Sequence, residues 1–174
     1  MRESRWTAMR VAIGSMLLAS AWLGSSAVVG ADDLQTGISL YQQGKYAEAA
    51  ARLANAPGAE AKAYLAASQA KLKKYGEAEA AAKAALADRP TDELAVAALG
   101  DSLVGQKKYD EAVDRMGAAI KRRADLAHAY YWRGHAYYKK KQPDRMVSDF
   151  ETFLKLAPKA PEANSVRQLL AGLK

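Results

Sequence analysis

Cysteine is absent from the 174 residues. That excludes disulfides, thiol catalysis, thiolate metal sites and a lipid-modified N-terminal cysteine. Bulky aromatics are scarce, with two Phe and three Trp, although half the residues are hydrophobic. Much of that half is alanine, which adds little buried area but lets backbones come close, so the composition favours tightly spaced helices. Histidine is nearly missing too. His128 and His135 stand seven apart on one expected helix, about 10 Å along its axis, too far to share a metal. A zinc-binding helix wants them four apart, and no third ligand is in view. The chain has no G-x-S-x-G, no P-loop and no G-x-G-x-x-G. Acidic pairs such as Glu77/Glu79 and Glu111/Asp114 read as solvated helix faces. Neither an enzyme nor a cofactor is expected.

Charge is missing altogether from Val11–Ala31. Before this stretch stand Arg2, Arg5 and Arg10 with one acid, Glu3. It closes on the small residues Val29-Gly30-Ala31, ahead of Asp32-Asp33. A basic leader, an apolar middle and a small-residue exit make a secretory signal peptide over residues 1–31, cleaved after Ala31. An uncleaved anchor is the competing reading, since 21 uncharged residues nearly span a bilayer, but Gly14, Ser15, Ser20, Gly24, Ser25 and Ser26 weaken it. The expected location is therefore periplasmic or secreted, with no stable membrane insertion once the leader is gone. Cleavage removes three bases and one acid, lowering the net charge from +7 to +5. That mild excess sits in Lys71/Lys73/Lys74, Lys107/Lys108, Lys121/Arg122/Arg123 and Lys139/Lys140/Lys141. Cations suit the exposed carbonyls of helix ends, so these clusters point to helix termini and not to nucleic acid.

The five prolines fall at 57, 90, 143, 158 and 161, between segments of helical periodicity, and no stretch alternates as a strand. The pattern predicts nine helices over 33–43, 46–56, 59–73, 76–88, 92–105, 109–122, 126–140, 143–156 and 161–172. One phrase recurs: KYAEA at 45–49, KYGEA at 74–78 and KYDEA at 108–112. Units two, three and four begin at Ala59, Glu93 and Ala127, a strict step of 34 residues. Small residues (Gly37, Ala66, Gly100, Gly134) are expected where the two helices of a unit cross, matched by Ala49, Ala78 and Ala112. Tyr46, Tyr75 and Tyr109 follow the turns and can fill the wedge there.

This period and these offsets resemble the tetratricopeptide (TPR) repeat. Pro143 and Met146 depart from the pattern in unit four, and Arg123-Ala124-Asp125 lacks the closing proline of unit three. The resemblance implies an all-α, right-handed α-solenoid over residues 32–174, with units 33–58, 59–92, 93–126 and 127–160. Stacked repeats leave an apolar end, so 161–172 is expected as a capping helix, covering unit four with Val166, Leu169, Leu170 and Leu173. The resemblance also implies a non-catalytic module, a scaffold, adaptor or assembly factor, that binds a peptide or helix of another protein on its concave side. A self-assembling structural protein, a homo-oligomer, is the alternative. First helices line the groove in such arrays. The groove would present Leu34, Ile38 and Tyr41, then Lys71 beside Ala63, Ala67 and Ala70, then Asp101 and Val104 beside Leu94 and Ala97, and finally His128, Tyr131, His135, Tyr138 and Lys139. It reads as small and apolar in the middle and aromatic at its C-terminal end. Tyr131 and Tyr138 can equally pack within the array. The Lys/Arg/Asn cluster with which some such domains grip a C-terminal carboxylate is not matched at Ala63, Ala67, Ala97 and Asp101.

Overall fold

The computed structural model describes residues 25–173. Among the described residues there is no strand and there are nine helices: α1 (Ser25–Gln42), α2 (Tyr46–Leu53), α3 (Gly58–Lys71), α4 (Tyr75–Asp88), α5 (Glu93–Gly105), α6 (Tyr109–Arg122), α7 (Ala127–Lys139), α8 (Pro143–Leu156) and α9 (Ala163–Ala171). Residues 1–24 of the expected leader lie outside the described residues. Its last seven residues, from Ser25, form the start of α1, which therefore begins well before the expected residue 33. No helix among the described residues is long and apolar enough to cross a membrane. Helix α2 stops at Leu53, three residues short of expectation and before Pro57.

Each unit turns in the same way. The amides of Lys45, Lys74, Lys108 and Gln142 donate five residues back, to the carbonyls of Leu40, Gln69, Leu103 and Tyr137, at 2.8–3.0 Å. This closes the first helix of the unit with the residue before each amide in the left-handed region. Gly44 fills that place in unit one, with φ +76°, but lysines fill it afterwards: Lys73 (+60°), Lys107 (+62°) and Lys141 (+57°). A side chain there costs roughly 1 kcal/mol relative to glycine. So these lysines do more than decorate helix ends; they sit at the strained corner of every later hairpin.

The first helices α1, α3, α5 and α7 contact one another in succession and form the inner layer. Each of α2, α4 and α6 packs on its own first helix and on the next. Ala49, Ala78 and Ala112 are fully buried at these contacts. A Cβ on Gly37 would come within 2.5 Å of Leu53, and one on Gly134 within 2.8 Å of Phe150, so each does mark the crossing within its unit. Gly100 does not. Its added Cβ would meet Trp132 of α7 at 2.5 Å, which makes it a contact between units. Gly105, unremarked in the sequence, receives the Tyr75 ring in the same way, so the wedge filled by that tyrosine also joins neighbouring units.

Glu79 corrects the reading of the acidic pairs as solvated. It is buried, and its carboxylate accepts hydrogen bonds from Lys108 Nζ (2.8 Å), Lys83 Nζ (2.5 Å) and Gln106 Nε2 (2.7 Å). Hydrogen bonds from Lys108 and Lys83 hold its carboxyl down to about 2, below the usual range. Lys108 and Gln106 belong to the next unit, so this is a polar strut between repeats. A second buried carboxylate, Asp149, accepts both Nε and Nη2 of Arg133 at 2.8 and 2.7 Å. That bidentate pair ties α7 to α8.

At the C-terminal end Pro143 opens α8 at its first turn, where the missing N–H had no partner. Met146 takes the alanine position and is buried with Phe150, Phe153, Ala163 and Val166. Helix α9 packs on α8. Val166 is buried and Leu169 and Leu170 join it, but Leu173 lies beyond the helix and is 54% exposed, so it is no part of the cap.

Candidate partner-binding groove

The inner helices leave a concave cavity of about 290 Å³. Its floor is built by helical spacing. Ala67, Ala70 and Lys71 come from α3, while Leu94, Ala97, Ala98 and Asp101 come from α5 at offsets of three, four and seven. Tyr41 of α1 stands on one side, His128 and Trp132 of α7 on the other, and Glu93 and Glu162 complete the rim. Small floor residues leave the space open; large ones at those offsets would fill it.

Of the residues expected in the groove, Tyr41, Lys71, Asp101 and His128 line this cavity, with Ala67, Ala70, Leu94 and Ala97 between them. The others lie elsewhere. Leu34 packs around Ala49, Leu53 and Ala61, and Val104 packs into the central core. Ile38 is half-buried on α1, outside the lining. Tyr131 stacks among Trp132 (4.9 Å), His135 (4.5 Å) and Phe153 (5.1 Å), and His135 also meets Phe150 at 5.2 Å. The aromatic stripe of α7 is thus largely occupied in holding α7 to α8. Tyr138, 46% exposed, stands apart, with Lys139 Nζ 5.4 Å from its ring centre.

The electrostatics differ from the apolar groove expected. His128 sits between two carboxylates, its Nδ1 3.2 Å from Glu93 and its Nε2 3.8 Å from Glu162. Arg123 Nη2 also reaches Glu93, at 3.5 Å. Burial pushes the Asp101 carboxyl up to about 6, against the opposing pull of Lys71. Burial likewise raises the Tyr131 hydroxyl to about 12, with Glu162 and Asp101 adding to the effect, and it raises Tyr41 too. Asp101 and Glu162, both in the cavity lining, thus contribute to the shifts of both tyrosines. His135 is held down to about 4 by burial, with Lys139 adding to it.

Sequence reasoning missed Glu93, Trp132 and Glu162. Glu93 was legible as the first residue of an inner helix behind the N-cap Asp92, whose side chain accepts from the Ala95 amide. Glu162 was not, because it comes from the connection to α9 and only packing of the cap brings it there. A larger cavity, about 370 Å³, lies between α4, α5 and α6. It is lined by Lys83, Arg115 and Arg122 around Leu86, Val96 and Met116. Basic where the concave cavity is acidic, it draws on the outer helices. Among the described residues no group of three or more potential ligands is placed to hold a metal.

Helix hairpins stacked with an inner and an outer layer define an α-solenoid. Tetratricopeptide repeat profiles match residues 34–93 and 127–159, and a TPR repeat profile matches residues 100–141. The chain belongs to the tetratricopeptide repeat family, a class that in general is non-catalytic. No curated protein matches it. Among solved structures it is similar to a thermophilic TPR protein of Thermus thermophilus, at 22% identity over 79% of this chain and 78% of that one, with a TM-score of 0.69. It is also similar to YrrB, a TPR protein with an unusual peptide-binding site (17%, 83% and 76%, 0.65). A third is MamA (22%, 75% and 79%, 0.64). At these identities the likeness is one of fold, and the right-handed solenoid expected from the repeat is the fold these chains share.

Proposed function

We propose that the chain is a non-catalytic interaction module of the cell envelope, exported by its leader, that binds a peptide or helix of a partner protein in the concave groove. The observation that carries this reading is the open cavity over Ala67, Ala70, Ala97 and Ala98, which inner-helix geometry creates and no side chain among the described residues fills. A pocket of this size, apolar with a few convergent polar groups, suits side chains of a docked segment. The peptide-binding site named for YrrB supports the analogy.

A photo-crosslinking amino acid at Ala97, inside the groove, and at Ala118, on the outer cavity, tests it in envelope-bearing cells. The partner adduct is expected from position 97 alone. An adduct from position 118 alone overturns the groove assignment. The export reading is tested separately by N-terminal sequencing of the protein from fractionated cells, expected to begin at Asp32.

Self-assembly is the second reading. The outer cavity with Lys83, Arg115 and Arg122 favours it, being opposite in charge to the groove. Light scattering that gives a concentration-independent monomer removes it.

A further inference from the structure

We infer that the concave cavity seats a lysine or arginine side chain carried on an apolar segment of the partner. This rests on the groove reading above and adds the chemistry of the occupant.

The groove brings three carboxylates, Glu93, Asp101 and Glu162, to one open space, and among the described residues Lys71 is the one lysine or arginine that lines it. These acids are unequally satisfied. Glu93 already faces Arg123 and His128. Asp101 makes no hydrogen bond or ion pair with the described residues, although it is half-buried. Glu162 is partly exposed on the rim and is held only loosely: its Oε2 lies 3.8 Å from His128 Nε2 and makes no hydrogen bond with the described residues. A partly desolvated carboxylate without a donor, as at Asp101, is costly, and a cationic donor from a guest would offset that cost.

The remaining walls suit the rest of such a guest. Tyr41 and Trp132 place aromatic rings in the lining, compatible with a cation, and the alanine floor with Leu94 accepts its methylene stem. An acidic guest would meet a lining in which carboxylates outnumber the one lysine. The outer cavity, whose charged lining residues are Lys83, Arg115 and Arg122, has the opposite preference, so charge separates the two faces.

The test uses the full chain and three fluorescein-labelled peptides on one Ala/Leu scaffold, carrying two central lysines, two glutamines or two glutamates. Fluorescence anisotropy is expected to give the lysine peptide an affinity at least about tenfold above the glutamine peptide, with the glutamate peptide weakest. The Asp101→Asn/Glu162→Gln variant, checked by circular dichroism, is expected to bring lysine and glutamine peptides to near equality while leaving glutamine binding in place. Ala97→Phe, which plugs the cavity, should abolish all binding; Ala118→Phe should change nothing. Equal lysine and glutamine affinities that Ala97→Phe still abolishes would sink the cation inference and leave the groove reading standing. Lysine binding that Ala97→Phe spares would sink both. Failure of all three peptides to bind also overturns the inference.

Discussion

Between α3 and α4 the contact is alanine against alanine, with Ala66, Ala78 and Ala82 all fully buried. Between α7 and α8 the same positions in the repeat carry Gly134, Met146 and Phe150, and Phe153 fills the next turn. Close approach makes the first contact; bulk set against a missing side chain makes the second. Two ways of burying surface in one backbone plan lead to opposite sensitivities. The aromatic end has most to lose from truncation, and the crowded glycine contacts most to lose from addition.

The largest expected effect tests that contrast at the aromatic end. Phe150→Ala should lower unfolding free energy by about 3–5 kcal/mol, measured by urea titration, because a fully buried ring leaves a cavity. A loss under about 1 kcal/mol would mean the ends do not differ. Gly100→Ala comes next. Its new methyl would lie 2.5 Å from Trp132, at the helix backbone side of that residue, so a loss of about 1–3 kcal/mol is expected. Gly76→Ala is the matched control: nothing lies within 4 Å, and a helix gains about 0.5–1 kcal/mol from the exchange.

The groove and the inter-repeat strut make a second contrast, read through pH. Asp101 has a folded value of about 6 against an ordinary 3.8, so folding favours its protonated form. Its contribution is best below 3.8, worsens as pH rises towards 6, and stays unfavourable above. Asp101→Asn should therefore stabilise by about 1–2 kcal/mol at pH 7, discounted for partial exposure, and have little effect at pH 3.5. Glu79 behaves oppositely. With its carboxyl held down to about 2, its contribution is full above 4.5 and lost as pH falls towards 2, so Glu79→Gln should cost stability at pH 7 and little near pH 2. Thermal melts of both variants across pH 2–8 check the signs.

The smallest effect concerns the turns. Lys107→Gly should gain up to about 1 kcal/mol, whereas Gly44→Lys should lose a similar amount, because both residues occupy the same left-handed corner. Equal melting temperatures for these variants would remove the strain argument.

Most of the fold was legible because its cause is local. Helix ends at Pro143 and at the three Tyr positions agree with expectation to within a residue, since capping, proline and period act over a few residues. Gly37 and Gly134 were assigned to the right crossings. The contacts of Gly100 and Gly105 with the neighbouring unit were not foreseen, because a close approach between units depends on how far each hairpin rotates against the next. Glu79 failed for a related reason. A carboxylate on a helix surface looks solvated until Lys108 and Gln106 of the following unit close over it.

The candidate groove divides along the same line. Ala67, Ala70, Ala97 and Asp101 face the concave side because helical spacing from a known inner helix puts them there. Tyr131 and His135 share that stripe, yet Phe150 and Phe153 draw them into the array, a choice made by the bulk of unit four. Glu162 enters the rim only through the docking of α9.

By itself, then, the order of residues determined the 34-residue hairpin, its inner and outer faces and the small contacts that let helices meet, since each follows from backbone geometry within one unit. Charge and shape in the groove were decided by the stacking of units and cap. Electrostatic energy depends on which desolvated groups come within a few ångströms, and that distance exists only once the array is folded.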